Sequence, residues 1–285
     1  MKIKIPAKTF LVGEYLALNG GPAILLTTDP CFEIHSCAMP WLHGIHPESP
    51  AGRLWGQQLT VNVGLTWVDP YHGLGGLGAS SAQFLAVYRA LNSTQEFCAE
   101  HMLSAYMNTA YKGIGTAPSG YDVLAQNSNG CVHINQKKHI TCYAWPFDDL
   151  SFILVHTGGK LATHHHLEVF NHLKQADQLT TLVHATQQAF IETNSQLLIE
   201  SINSYYQILL EQGLVADHTS AIIKNLKSEP DLLAAKGCGA MGADIILLIV
   251  PRNNLDKWEN EIIPNNLRCI ANTNALYSHN TSEIT

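Results

Sequence analysis

The sequence predicts a mixed α+β protein of two domains, and three observations carry that prediction. Strand-like and helix-like stretches are interleaved in both halves of the 285-residue chain without strict βα alternation. That length suits one large domain or two of ordinary size, and with 46% hydrophobic and 14% charged residues the chain can bury a substantial core. A short aromatic crossing segment at 145–149 separates the halves, so the boundary is expected near Leu150, with domains over 1–150 and 151–285. A cleft between two such domains is a common place for a small-molecule site.

In the first half, residues 2–5 alternate as a half-buried edge strand does. Residues 9–12 read as a strand end, 13–19 as a short turn or helix, Gly20–Gly21 as a tight turn and 23–27 as a strand. Further strand-like runs lie at 32–37 and 59–65, with a Pro-, Gly- and His-rich loop over 41–57 between them. Phe84, Leu85, Tyr88 and Leu91 have helical apolar spacing, which predicts a helix opening at Ser80. A second helix is expected over 93–112 with Ser93 or Thr94 as its N-cap, and a short helical turn over 123–127 that Gly130 ends. Residues 131–134 and 139–143 read as a hairpin.

The second half opens with a strand at 151–156, followed by TGGKLATHHH and helical stretches at 167–192, 195–211 and 218–226. Gly213 is a natural stop for the middle one. Then come a strand, a glycine-rich turn and a buried strand in LLAAKGCGAMGADIILLIV, a helix near 254–262 and a closing strand at 267–271. The run His164, His165, His166 reads as a polar loop or helix start, because adjacent side chains point in different directions and rarely converge on one metal.

Composition excludes several functions. A net charge of −7 and the absence of a basic stripe argue against general nucleic-acid binding. No apolar run is long enough to span a bilayer, and residues 1–5, short, charged and followed by Pro6, do not read as a signal peptide. Seven cysteines lie scattered without a C-x-x-C pair, so neither a disulfide framework nor a zinc site is expected, and the chain reads as a reduced, cytoplasmic protein.

The stretch DPYHGLGGLGASSAQFL, residues 69–85, is the strongest candidate for chemistry. A glycine loop through Gly73, Gly75, Gly76 and Gly78 leads past Leu77 and Ala79 to Ser80 and Ser81 at a helix start. Glycines admit a ligand close to the backbone, and the unpaired N–H groups of a first helical turn attract anions. The serine hydroxyls offer a Mg²⁺ ligand or a phosphate contact. Three readings stay open for the loop itself: a structural turn, a dinucleotide site through G-x-G-x-x-G, or a nucleoside-triphosphate cradle that is not of Walker A type.

Other residues add to it. Lys8 follows Pro6 and is either a cation for a transferring phosphoryl group or a solvated lysine; Glu14 is either a solvated turn residue or a brace. Asp122, in APSGYD, stands in a turn that Pro118 and Gly120 fix. Lys236–Gly242, KGCGAMG, is a second glycine loop or a plain β-turn.

Taken together, PAKTFLVGEYLALNGGPAI, GLGASSA, PSGYD and KGCGAMGAD, in this order, resemble the signature motifs of the GHMP kinases over residues 5–250. That family includes galactokinase, homoserine kinase, mevalonate kinase and phosphomevalonate kinase. The resemblance implies a two-domain GHMP kinase-like α+β fold, with a ribosomal-protein-like N-terminal domain and a ferredoxin-like C-terminal domain. It implies ATP and Mg²⁺, no nucleic acid or membrane partner, and a monomer or homodimer. Gly13–Glu14–Tyr15, SGYDV at 119–123, Asp244 and the TG-x-x-x-x-T segment at 157–163 are more similar to phosphomevalonate kinases; Pro118 is more similar to mevalonate kinases. Departures are Ala7 for a glycine, Met241 and Ala243 for glycines of the third motif, and Tyr111 eleven residues before Asp122, where mevalonate kinases carry a Mg²⁺-binding glutamate.

Carried over by motif, ATP phosphates would lie on Gly75, Gly76, Leu77, Gly78, Ala79, Ser80 and Ser81, with Ser80 as the metal ligand. Asp122 would activate the acceptor hydroxyl, and Lys8 would pair with Asp122 and stabilise the transferring group. Substrate contacts would come from Lys8, Glu14, Tyr15, Ser119, Gly120, Lys160, Thr163, Gly239 and Ala240, with one of His164–His166. The expected activity is phosphoryl transfer to 5-phosphomevalonate in isoprenoid biosynthesis. The alternatives are mevalonate kinase or another GHMP alcohol or sugar kinase, a catalytically silent GHMP-fold binding protein, a decarboxylase relative and a dinucleotide oxidoreductase.

Overall fold

The computed structural model describes residues 1–57, 63–93, 96–113, 115–158, 173–242 and 244–278. β1 (Lys2–Val12) pairs antiparallel with β2 (Ala23–Cys37). β2 is long enough for β4 (Gly64–Val68) and β5 (Cys131–Ile134) to share its other edge. The strand-like runs at 23–27 and 32–37 are therefore one strand. β6 (Ile140–Tyr143) closes the expected hairpin with β5, and β3 (Leu42–His43) lies parallel to β4 at the other end of this six-stranded sheet.

Four helices cover this sheet. α2 (Ala79–Leu91) and α4 (Tyr121–Gln126) pack on β1 and β2, and α1 (Pro50–Gly56) and α3 (Ala99–Ala110) pack on those helices. α1 lies where the sequence reads as loop. Ser49 accepts a hydrogen bond from the Gly52 amide and Pro50 takes the first helical position, a start signal hidden among the prolines and glycines around it. α3 starts later than expected, with Cys98 rather than Ser93 at its N-cap, because Asn92 and Ser93 form the turn that ends α2. Thr94, the other expected cap, lies outside the described residues. β4 covers Gly64–Val68, ending three residues past the expected end at 65, and residues 59–62 of that expected run also lie outside the described residues.

The second sheet holds β7 (Leu150–His156), β8 (Ala234–Cys238), β9 (Ile245–Pro251) and β10 (Arg268–Asn272). Its spatial order is β10-β7-β9-β8, antiparallel throughout. Helices α5 (Ala176–Glu192), α6 (Ser195–Glu211) and α7 (Asp217–Leu226) lie between its first and second strands. Two helical turns, Leu255–Lys257 and Trp258–Ile262, lie between its third and fourth. This is the ferredoxin-like arrangement. A doubly wound parallel sheet is absent from the described residues, where β3–β4 is the one parallel pair, so the dinucleotide-fold alternative falls. All seven cysteines are free, and no described helix is long and apolar enough to cross a membrane.

β1 joins the expected edge strand at 2–5 to the expected strand end at 9–12. It is an edge strand by hydrogen bonding, yet from Ile5 to Val12 every residue is buried. α2 and α4 cover it from the first half, and α6 and β8 reach it from the second. Pro6, which lacks an N–H to pair, sits where the β1–β2 register shifts between Ile5 and Ala7.

Burial also reaches His133 on β5, 4% exposed, whose pKa is pushed from the usual 6.5 down to about 4 by desolvation and, second, by the neighbouring His184 of α5. The unfolded chain therefore binds more protons than the folded one between those values, so stability rises with pH across that window. Lowering the pH from 7 to 4 should cost about 3 kcal/mol through this residue. Denaturant titrations across that range should show His133→Gln removing this part of the acid sensitivity.

Candidate active site

β1 delivers Lys8 to the centre of the molecule. Its backbone N–H donates to the Leu77 carbonyl at 3.1 Å, tying the strand to the first glycine loop. Its Nζ lies 2.8 Å from Asp122 Oδ1, with the lysine side chain 9% exposed and the aspartate 34%. The ammonium also lies 5.1 Å from the centre of the Phe10 ring, a cation–π contact. Asp122 occupies the first turn of α4, where the helix dipole favours a carboxylate. Gly120 is the N-cap of that helix, and Ser119 Oγ accepts from the Tyr121 amide. Four residues on from Asp122 and so on the same helix face, Gln126 donates to the Pro6 carbonyl at 2.8 Å and to the Gly78 carbonyl at 3.1 Å. One buried amide thus clamps β1, α4 and the glycine loop together.

The glycine loop enters α2 through Gly78, its N-cap, at φ 80°. A Cβ there would come within 2.9 Å of Lys8 Cγ and Cε and 3.0 Å of Gln126 Nε2, so the close approach needs glycine on two counts. The two serines have different roles. Ser81 is buried and donates to the Gly78 carbonyl at 2.9 Å, whereas Ser80 is exposed at the helix start. Leu77 is buried beneath the loop. At Gly75 a Cβ would come within 2.8 Å of Asp244 Oδ2, and at Gly76 within 2.9 Å of Asp244 Cβ. The residue that follows the third motif therefore packs directly against the first glycine loop.

Glu14 and Tyr15 point away from solvent. Glu14 forms a 2.7 Å ion pair with Lys236 on β8, with side chains 3% and 0% exposed. Burial pushes the Glu14 carboxyl up, opposed by Lys236. Burial likewise works against the Lys236 charge, but its neighbours Cys238 and Glu14 outweigh it and hold the ammonium above its usual range. The Tyr15 hydroxyl accepts from the Met241 amide at 2.8 Å and donates to the Leu214 carbonyl at 3.1 Å. The reading of Glu14 as a solvated turn residue is thus corrected to the bracing one. Both residues, expected as substrate contacts, are buried against the second half of the chain.

The KGCGAMG stretch, the third loop of the site after the 75–78 loop and the turn at Gly120, continues from β8. Gly239 is open, with nothing within 4 Å of a Cβ there, and Ala240 begins a short turn to Gly242. Met241 adopts φ 56°, a left-handed backbone that costs a non-glycine residue about 1–2 kcal/mol. Ala216 N–H donates to the Met241 carbonyl and Thr219 Oγ1 to the Gly242 carbonyl, which hold the strained turn. Tyr111, partly exposed, ends α3. Lys160, Thr163, His164, His165, His166 and Ala243 lie outside the described residues.

Searches of family models and of curated proteins find no match to the chain. Solved structures do match. The Streptococcus pneumoniae phosphomevalonate kinase superposes with TM-score 0.79 at 14% identity, over 95% of this chain and 98% of its own. The same enzyme in complex with phosphomevalonate and AMPPNP gives 0.77 at 14%, over 95% and 99%. The Methanococcus jannaschii mevalonate kinase gives 0.76 at 13%, over 98% of each chain. The chain has the GHMP kinase fold.

Within the GHMP fold the four sequence motifs lie close together: Lys8, Gly75–Ser81 and Asp122 join directly, and Asp244 brings the third motif to the first loop. Sequence reasoning missed two residues. Gln126 carried a usable signal, since it shares a helix face with Asp122. Lys236 carried a weaker one, a lysine inside an otherwise apolar strand. Among the described residues no three His, Cys, Asp or Glu side chains gather as a metal site. The exposed Ser80 hydroxyl at the start of α2 is an oxygen of the kind that could ligate a Mg²⁺ ion carried by phosphates.

Gly78→Ala should lower stability by about 1–2 kcal/mol, from the left-handed backbone alone, and displace Lys8 from Asp122. Thermal unfolding of that variant beside Gly73→Ala, whose Cβ would meet nothing within 4 Å, separates the contact from the backbone effect.

Proposed function

We propose that this protein is an ATP-dependent small-molecule kinase whose acceptor is 5-phosphomevalonate, working in the mevalonate route to isoprenoids. The observation that carries the reading is the 2.8 Å pair of Lys8 and Asp122 beside the glycine-loop entry to α2. Phosphoryl transfer asks for a phosphate cradle, a cation at the transferring group and a carboxylate at the acceptor hydroxyl. Residues suited to these three roles stand together here. A similar fold in the pneumococcal enzyme holds AMPPNP and phosphomevalonate. We place the domain boundary at Leu150, between the two sheets, and the protein in a reducing cytoplasm, in keeping with its seven free thiols.

In this reading the loop from Gly75 to Ser81 receives the triphosphate through backbone N–H groups and the start of α2. The Ser80 hydroxyl would help to hold Mg²⁺ with the nucleotide, and the ion would supply neutralisation of charge on the phosphates. Lys8 engages Oδ1 of Asp122, which leaves Oδ2 to take the proton of the acceptor hydroxyl. The hydroxyl oxygen then bonds to the γ-phosphorus, the bond to the bridging oxygen breaks and ADP departs. Lys8 stabilises the charge that builds up on the transferring oxygens. Asp122 and Lys8 thus act as a unit that the Gln126 clamp keeps in register with the loop.

The acceptor assignment rests on Tyr15, the SGYDV run, Asp244 and the 157–163 segment, in which Lys160 and Thr163 would bind the acceptor's own phosphate. Ser119, Gly120, Gly239 and Ala240 would contribute backbone or hydroxyl contacts to the substrates. The second reading, mevalonate kinase, is favoured by Pro118 and by the likeness to the Methanococcus enzyme. A binding protein without turnover is disfavoured by the intact Lys8–Asp122 pair.

ADP release with Mg-ATP should be seen with 5-phosphomevalonate and not with mevalonate, homoserine or galactose. Turnover with mevalonate instead would overturn the acceptor, and silence with all four despite AMPPNP binding would overturn the kinase reading. Asp122→Asn should lower kcat by about 10²–10⁴-fold while leaving nucleotide affinity nearly unchanged. Lys160→Ala and Thr163→Ala should raise the KM of the acceptor and not that of ATP.

A further inference from the structure

We infer that the buried Glu14–Lys236 pair, together with Tyr15, is a positioning strut that fixes the third glycine loop against the Lys8–Asp122 site. Its effect on turnover rests on the kinase reading above, whereas its effect on the loop does not. The pair is closed off from water: Lys236 is fully buried, 2.7 Å from Glu14 and 3.7 Å from Cys238 Sγ, with the buried Tyr205 ring of α6 5.9 Å from its ammonium. An ion pair in such a place gains little stability over a well-packed apolar pair, because desolvation offsets most of the attraction. What it does impose is geometry, since two opposite charges without water tolerate little separation.

The connectivity makes that geometry useful. Glu14 follows β1 closely, and β1 carries Lys8; Lys236 lies on β8, which runs directly into Gly239. Tyr15 adds a second link one residue on, its hydroxyl bridging the Met241 amide and the Leu214 carbonyl. The far end of the third loop then reaches the first through Asp244, whose carboxylate packs on Gly75 and Gly76. A contact path therefore runs from β1 through Glu14, Lys236 and the third loop back to the first glycine loop. Displacements of about 1 Å in such a site cost on the order of a hundredfold in rate. Glu14, Tyr15 and Lys236 are positioning residues here, touching no reacting atom.

The test removes both charges together, in Glu14→Gln/Lys236→Met, so that no unpaired charge stays buried and the carboxylate is replaced by a group of the same shape. The expected result is a melting temperature close to that of the parent, amide exchange over residues 236–242 about tenfold faster, and kcat lower by roughly ten- to a hundredfold. Tyr15→Phe, a smaller change, should speed exchange at the Met241 amide while the fold stays intact, and serves if the double variant does not fold. Parent-like exchange in the third loop of either folded variant would overturn the inference, as would a lower melting temperature with kcat unchanged. If the parent itself turns over none of the four acceptors, the kinase reading fails alone, and the exchange measurement still decides this one.

Discussion

The ion pair between Lys8 and Asp122 is the contact on which the rest of the arrangement depends. A lysine 9% exposed needs a partner, since an unpaired buried ammonium is strongly disfavoured. Asp122 is that partner, and the surrounding structure exists to keep it in reach. β1 is buried along most of its length so that Lys8 can be presented from a rigid strand, and α4 is short, with its acid in the first turn. Gln126 holds both to the loop. The carboxylate keeps about a third of its surface open, as the proposed contact with an acceptor requires.

Around that pair the two sheets are joined by contacts of a different kind. Glu14 with Lys236 and Tyr15 with Met241 cross between the halves where water is excluded, and each ties a segment next to β1 to the loop after β8. The third loop carries its own constraint. Met241 occupies a left-handed backbone that glycine would adopt freely, and it is held there by the Ala216 amide, which donates to its carbonyl, and by the Tyr15 hydroxyl, which accepts from its amide. Backbone strain kept by several partners is commonly found at functional sites. The open face of Gly239 beside it is in keeping with a loop that approaches a ligand.

Much of this could be read from the chain because glycine and proline spacing leaves a mark in sequence. Gly78, Gly120 and Gly239 all adopt positive φ, and each marks a turn that the sequence placed within a residue or two. The antiparallel hairpin of β5 and β6 and the 195–211 helix followed for the same reason, from turn residues and apolar spacing. What failed was inference about burial. Residues 2–5 alternate, and nothing local says that helices and a strand from the distant second half will cover the strand that follows. Glu14 stayed open between a solvated turn residue and a brace because its partner lies more than two hundred residues away. α1 was lost because its Ser49–Pro50 start is the same kind of sequence that makes a loop.

On the proposed reading, the loop from Gly75 to Ser81 holds a nucleoside triphosphate with its terminal phosphate at the Lys8–Asp122 pair. A crystal structure of the protein with Mg-AMPPNP decides this. The triphosphate should run along the start of α2, with the γ-phosphate within ion-pair reach of Lys8 Nζ and the metal on the Ser80 hydroxyl. Nucleotide bound elsewhere, or a glycine loop that stays empty at saturating AMPPNP, would contradict it.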